Sequence, residues 1–178
     1  MSDLSNDALL WLGAPKETAQ CIFLMPNKPV LPPDYDEAFL SYPNVPLLIE
    51  LNGNHWRKIF TIIAKLLVPS QEDWRYYRDE CLFSRCAIIW DKHQLEGYYA
   101  ASDEISQECV VFIVGNTFRQ DIAIDERATV VGDKQQAAFY DHQVWCPYLD
   151  YRQFPNRLIS ELRHQVLDNL LENSCYKH

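Results

Sequence analysis

Four clusters of polar side chains carry the chemistry available to this 178-residue chain. Asn52, Gly53, Asn54 and His55 offer amides and an imidazole. Asp91, Lys92 and His93 could supply an acid–base pair, although residues two apart share a side only while the chain stays extended. Surface decoration is the competing reading. Gly115, Asn116, Thr117 and Arg119 form the third cluster, and Asp150, Tyr151 and Arg152 the fourth. Arg152, between Tyr151 and Phe154, could present its planar guanidinium to a carboxylate or phosphate. In so acidic a chain it could equally pair with a surface acid. His142 and Cys146 have the spacing of two metal ligands, but a zinc site needs a third and a fourth, and the other histidines are scattered. The residues expected to bind a ligand are therefore Asn54, His55, Asn116, Asp150, Tyr151 and Arg152, with no metal and no cofactor. No catalytic residue can be assigned. The five glycines are well separated, which excludes a Walker loop and a Gly-x-Gly-x-x-Gly dinucleotide fingerprint. No Gly-x-Ser-x-Gly elbow occurs.

The elements that must position these groups alternate. Ala19 to Met25, Cys86 to Trp90, Cys109 to Val114 and Val144 to Cys146 read as strands, their continuous apolar runs suited to a sheet covered on both faces. Leu47 to Leu51 reads as a further strand or as the extended entry to a helix. From Asn54, taken as the N-cap, Trp56, Phe60, Ile63 and Leu67 repeat at helical spacing. Arg57, Lys58, Thr61 and Lys65 leave that helix a narrow polar stripe. Ser70 and Asp73 resemble a capping box before a helix over Gln71 to Cys81. Gln94 to Ile105 is ambiguous and could include a short helix through Tyr98 and Tyr99. Thr129 to Tyr140 fits a hairpin, or a strand and loop. A final helix starts near Asn156, with Leu158, Ile159, Leu162, Val166 and Leu170 as its apolar face. Pro26 to Pro46 holds six of the ten prolines and reads as a long loop packed by Tyr35, Phe39 and Tyr42. Strands alternating with helices predict an α/β fold: one domain over 1–178, a mostly parallel or mixed sheet flanked by helices in three layers. In a parallel sheet the strand carboxyl ends share one edge, so the polar clusters could meet in one cleft. Ordinary turn chemistry also places Asn, Asp and Gly there.

Bulk properties narrow the partners. Net charge is −9, and the first 50 residues hold two bases against seven acids. Phosphate-backbone binding draws on clustered bases, so a nucleic-acid partner is not expected. Apolar runs are too short to cross a bilayer, and the N-terminus is polar, so the expectation is a cytoplasmic protein with no membrane partner. Six cysteines without a Cys-x-x-Cys pair fit small buried thiols.

From Cys109 onward, some fifty residues resemble the C-terminal half of the uracil-DNA glycosylase-like proteins. The matching pieces are Val110 to Asn116, then Val144 to Pro147, then Tyr151, Arg152 and Phe154, then the last helix. Cys146 stands where the family's loop histidine would be, and no serine follows Pro147. The water-activating motif is not recognisable near Pro26 and Asn27. The resemblance implies an enzyme, or a degenerate enzyme, on that scaffold, acting on a base, nucleotide or nucleic acid. Beside it stand two readings from the residues themselves. One is a small ligand or partner bound at a cleft of strand carboxyl-end loops. The other is a protein-interaction module using the acidic N-terminal half.

Overall fold

Four strands that are apolar at almost every position form the middle of the sheet: β2 (Cys21–Leu24), β3 (Cys86–Ile89), β4 (Val110–Val114) and β7 (Gln143–Cys146). The computed structural model describes residues 10–69, 72–100 and 109–168. β2 pairs in parallel with β3 on one side and β4 on the other, and β4 pairs in parallel with β7. Two further elements complete a seven-stranded mixed sheet. β1 (Leu12–Gly13) runs antiparallel to β3 at one edge, and the hairpin of β5 (Thr129–Gly132) and β6 (Gln136–Tyr140) extends the other through β7. The order is β1-β3-β2-β4-β7-β6-β5. Alternate residues of each strand enter opposite faces. Phe23, Phe112 and Val144 join one apolar cluster; Ile22, Ile113 and Trp145 join the other. Phe23 and Phe112 stack with centroids 4.4 Å apart. The predicted single α/β domain in three layers is what the chain forms.

The helices follow from local signals. Asp36 accepts the Phe39 N–H and starts α1 (Glu37–Ser41) inside the proline-rich stretch. Phe39 packs on the core, whereas the Tyr42 ring is 52% exposed, so the expected packing by all three rings does not hold. Leu47 to Leu51 is not a strand. It lies in α2 (Val45–Asn52), because Asn44 Oδ1 accepts the Leu47 N–H at 3.1 Å and Pro46 stands in the first turn, where its missing donor is harmless. α3 (Asn54–Leu67) is mostly buried as predicted, but its N-cap is Gly53, and Asn54 is already the first helical residue. Ser70 and Gln71 lie outside the described residues. Asp73 caps α4 (Trp74–Tyr76), which runs on through a π-helical turn (Tyr77–Cys81) and a 3-10 turn (Leu82–Ser84). α5 (Lys92–Ala100) settles the ambiguous stretch as helix as far as Ala100; the remainder to Ile105 falls outside the described residues. The last helix is α6 (Asn156–Leu162), continued by a π-helical turn (Arg163–Leu167); Leu170 is not described. α2, α3 and α6 cover the Phe112 face, and α5 covers the Trp145 face. No helix among the described residues is long and apolar enough to cross a membrane.

This order puts a switch in the middle of the sheet. From β2 the chain goes to β3 on one side, while from β4 it goes to the β5–β6 hairpin and β7 on the other. The loops that leave β2 and β4 diverge at their carboxyl ends, and such a divergence opens a crevice.

Candidate functional site

The carboxyl ends of β2, β3, β4 and β7 share one edge because the four strands are parallel. Three side chains from distant parts of the chain meet there. Asn27 stands on the loop after β2, His55 in the first turn of α3, and Tyr148 two residues beyond β7. The Tyr148 hydroxyl lies 3.1 Å from Asn27 Oδ1 and 2.6 Å from His55 Nε2. A phenol has one proton. With Asn27 Oδ1 toward it, that proton goes to Asn27, and His55 Nε2–H donates to the phenol oxygen. Partial burial raises the pKa of Tyr148, Asn27 pulls it back, and Asp150 adds to the rise. Tyr148 therefore stays a neutral phenol at pH 7. Gly115 adjoins the trio: a Cβ there would lie 3.8 Å from Tyr148 Cδ2, and its N–H donates to Cys146 O at 2.9 Å, locking the β4 loop to β7.

The predicted residues divide. His55 is at the site, exposed and tilted against the Tyr148 ring with centroids 5.6 Å apart. Asn116 is exposed on the β4 loop beside Gly115. Asn54 is exposed at the start of α3, and its side chain joins no hydrogen bond among the described residues. Asp150 is occupied locally, its Oδ1 accepting the Arg152 N–H at 2.9 Å and its carbonyl the Phe154 N–H at 2.6 Å. Tyr151 is drawn away from the edge: its ring lies 4.9 Å from Lys65 Nζ. Lys65 is ten residues along α3 from His55, about 15 Å at helical rise. The loop after β7 thus leaves the edge after Tyr148 and folds back along α3, which separates Tyr151 from the trio. Arg152 is exposed and its guanidinium bonds nothing among the described residues. Arg152→Ala is therefore expected to change unfolding stability by less than about 0.5 kcal/mol in a urea titration. A loss above about 1.5 kcal/mol would make it structural.

Asn27 and Tyr148 are not among the ligand residues expected from the sequence. Each stands within three residues of a strand's carboxyl end, and that position was the available signal. At the β3 end, Asp91 Oδ1 accepts the His93 N–H at 2.8 Å, and the Asp91 carbonyl accepts the Gln94 N–H, so Asp91 is a turn residue at the start of α5. His142 and Cys146 do not act together. His142 immediately precedes β7 and Cys146 ends it, four residues or about 13 Å apart. Cys146 is fully buried, and burial pushes its thiol well above the ordinary range. Among the described residues no three metal-ligating side chains cluster. The same edge of the sheet also bears a hollow of about 210 Å3, two strands beyond β7, between the β5–β6 turn and the start of α6. Arg157 spans it, 3.8 Å from Asp133 and 3.4 Å from Glu161.

No curated protein and no solved structure matches the chain. Residues 11–167, nearly all of the described fold, match DUF6942, a family of unknown function. The chain belongs to that family.

Proposed function

We propose that this is a cytoplasmic protein that binds a small polar ligand at the carboxyl edge of its parallel strands, with Asn27, His55 and Tyr148 as the contact groups and Asn116 beside them. The observation that carries this reading is the hydrogen-bonded junction of three side chains from three separate segments, at 2.6 and 3.1 Å, beside the switch between β2 and β4. A fold gains little stability from polar bonds on an exposed rim. A ligand gains orientation from them.

The test is a thermal-shift screen of the full chain against nucleobases, nucleotides and small carboxylic acids. A compound that binds only the folded state raises the melting temperature by mass action. Tyr148→Phe removes the hydroxyl that joins Asn27 to His55. It is expected to weaken such a binder about tenfold or more while costing the free protein only about 1 kcal/mol. A binder held equally by the Phe variant, or no binder in these classes, would sink the proposal.

A second reading uses the same residues for acid–base catalysis on a glycosylase-like scaffold. It is favoured by the position of Asn27, on the loop where that resemblance puts a water-activating group. His55 and Tyr148 would then relay a proton. Release of free base from a uracil-containing oligonucleotide, lost on Asn27→Ala, would support it.

A further inference from the structure

On the face of the sheet that α5 covers, the segment after β4 crosses toward the hairpin and leaves a hollow of about 160 Å3. That is the space of roughly five waters in the liquid. Arg119 lines it together with Ile124, Ala128, Val130, Ala138 and Trp145. Apart from Arg119 and Gln136 the lining residues are apolar, and Ile124 and Val130 leave 40% and 58% of their surface exposed at its border. Trp145 is fixed there by its indole N–H, which donates to Ile122 O at 3.1 Å.

Arg119 is the anomaly. Its Nε–H is buried and has no acceptor, and its guanidinium makes no ion pair among the described residues. An arginine N–H taken from water needs an acceptor, preferably an anionic one. The same segment carries carboxylates, yet they are turned elsewhere: Asp121 faces Lys92 at 3.3 Å and Asp125 faces Arg127 at 3.0 Å. The chain carries a net charge of −9, yet among the described residues no carboxylate pairs with Arg119.

We propose that this hollow binds a small molecule bearing a carboxylate on a short apolar body, with Arg119 as its counter-ion and Trp145 and Val130 against the apolar part. The planar fork of arginine matches a carboxylate with two donors, and the walls suit a ring or short alkyl group. The site is separate from the Asn27–Tyr148–His55 junction.

Benzoate is a suitable probe, titrated into the full chain while the Trp145 indole N–H is followed by NMR. Benzyl alcohol serves as the neutral counterpart and inorganic phosphate as the anion without an apolar body. Benzoate is expected to shift the Trp145 signal saturably, with benzyl alcohol and phosphate much weaker. Arg119→Gln should weaken benzoate about tenfold or more. Val130→Glu, which brings a carboxylate to the border of the hollow, should do the same and decides the matter if the Gln variant fails to fold. Tyr148→Phe should leave benzoate binding unchanged. Equal binding of benzoate and benzyl alcohol, equal binding by wild type and both variants, phosphate binding tighter than benzoate, or no saturable shift would each overturn the proposal.

Discussion

Arg163→Ala is expected to lower the unfolding free energy by about 3 kcal/mol, read from urea denaturation at neutral pH. The reason lies at the end of α3. Its last carbonyls have no partners within the helix. No Gly or Asn follows to fold the chain back on them; Val68 and Pro69 lead it away instead. Arg163, nearly a hundred residues later, supplies the missing donors. Nη1 donates to Lys65 O at 2.7 Å and Leu66 O at 3.0 Å, and Nη2 donates to Val68 O at 2.6 Å. Arg85 Nη1 reaches Leu67 O at 3.5 Å. The cationic group also opposes the negative end of the helix dipole. Alanine would strand three carbonyls in a partly buried place and unfasten the last helix from α3. Water reaching them limits the loss, which is why the figure stays well below the sum of three isolated bonds. Arg163→Lys should restore less than half, since an ammonium keeps the charge but not the fork. A change under about 0.5 kcal/mol for the alanine variant would show that solvent already serves these carbonyls.

That clasp also shows what a sequence can and cannot disclose. β2, β3, β4 and β7 were legible because strands buried on both faces are written as unbroken apolar runs. The run Leu47 to Leu51 is broken only at Glu50, and its helical state depends on Asn44 and Pro46 at its start, outside the run itself. Edge strand β1 has two residues and so no period to detect. The polar edge was legible in outline, since parallel strands must end together. Its membership was not. Tyr148 and Asn27 lie close to their strand ends and stay at the edge, whereas Tyr151, five residues past Cys146, has already been carried to Lys65. His55 arrives from a helix start rather than a strand end, so its place beside Tyr148 is set by how α3 packs on the sheet. Arg163 and Arg119 depend on contacts between remote segments, which no local pattern encodes.

Three glycines should respond to alanine with three different outcomes. Gly13 sits in β1 with φ +121°, and a Cβ there would stand 2.5 Å from Cys86 O and 2.6 Å from Phe83 Cδ1. Both a strained backbone and a collision with main chain oppose alanine, and the Cys86 carbonyl is held by the Ala14 N–H at 3.0 Å. Gly13→Ala should cost about 3 kcal/mol or more. Gly53, the α3 N-cap, also has positive φ, +78°, but nothing lies within 4 Å of its would-be Cβ. Gly53→Ala isolates the backbone strain and should cost about 1 kcal/mol. Gly97 is exposed within α5, with open space around it and no positive φ. Gly97→Ala should stabilise by about 0.5–1 kcal/mol, because alanine has less freedom to lose in the unfolded chain. Urea titrations with a common slope measure all three. The difference between the first two is the cost of the close approach of β1 to β3, so equal losses at Gly13 and Gly53 would mean that edge pairing yields readily to a methyl group. A loss at Gly97 would mean that α5 does not hold its helical form there.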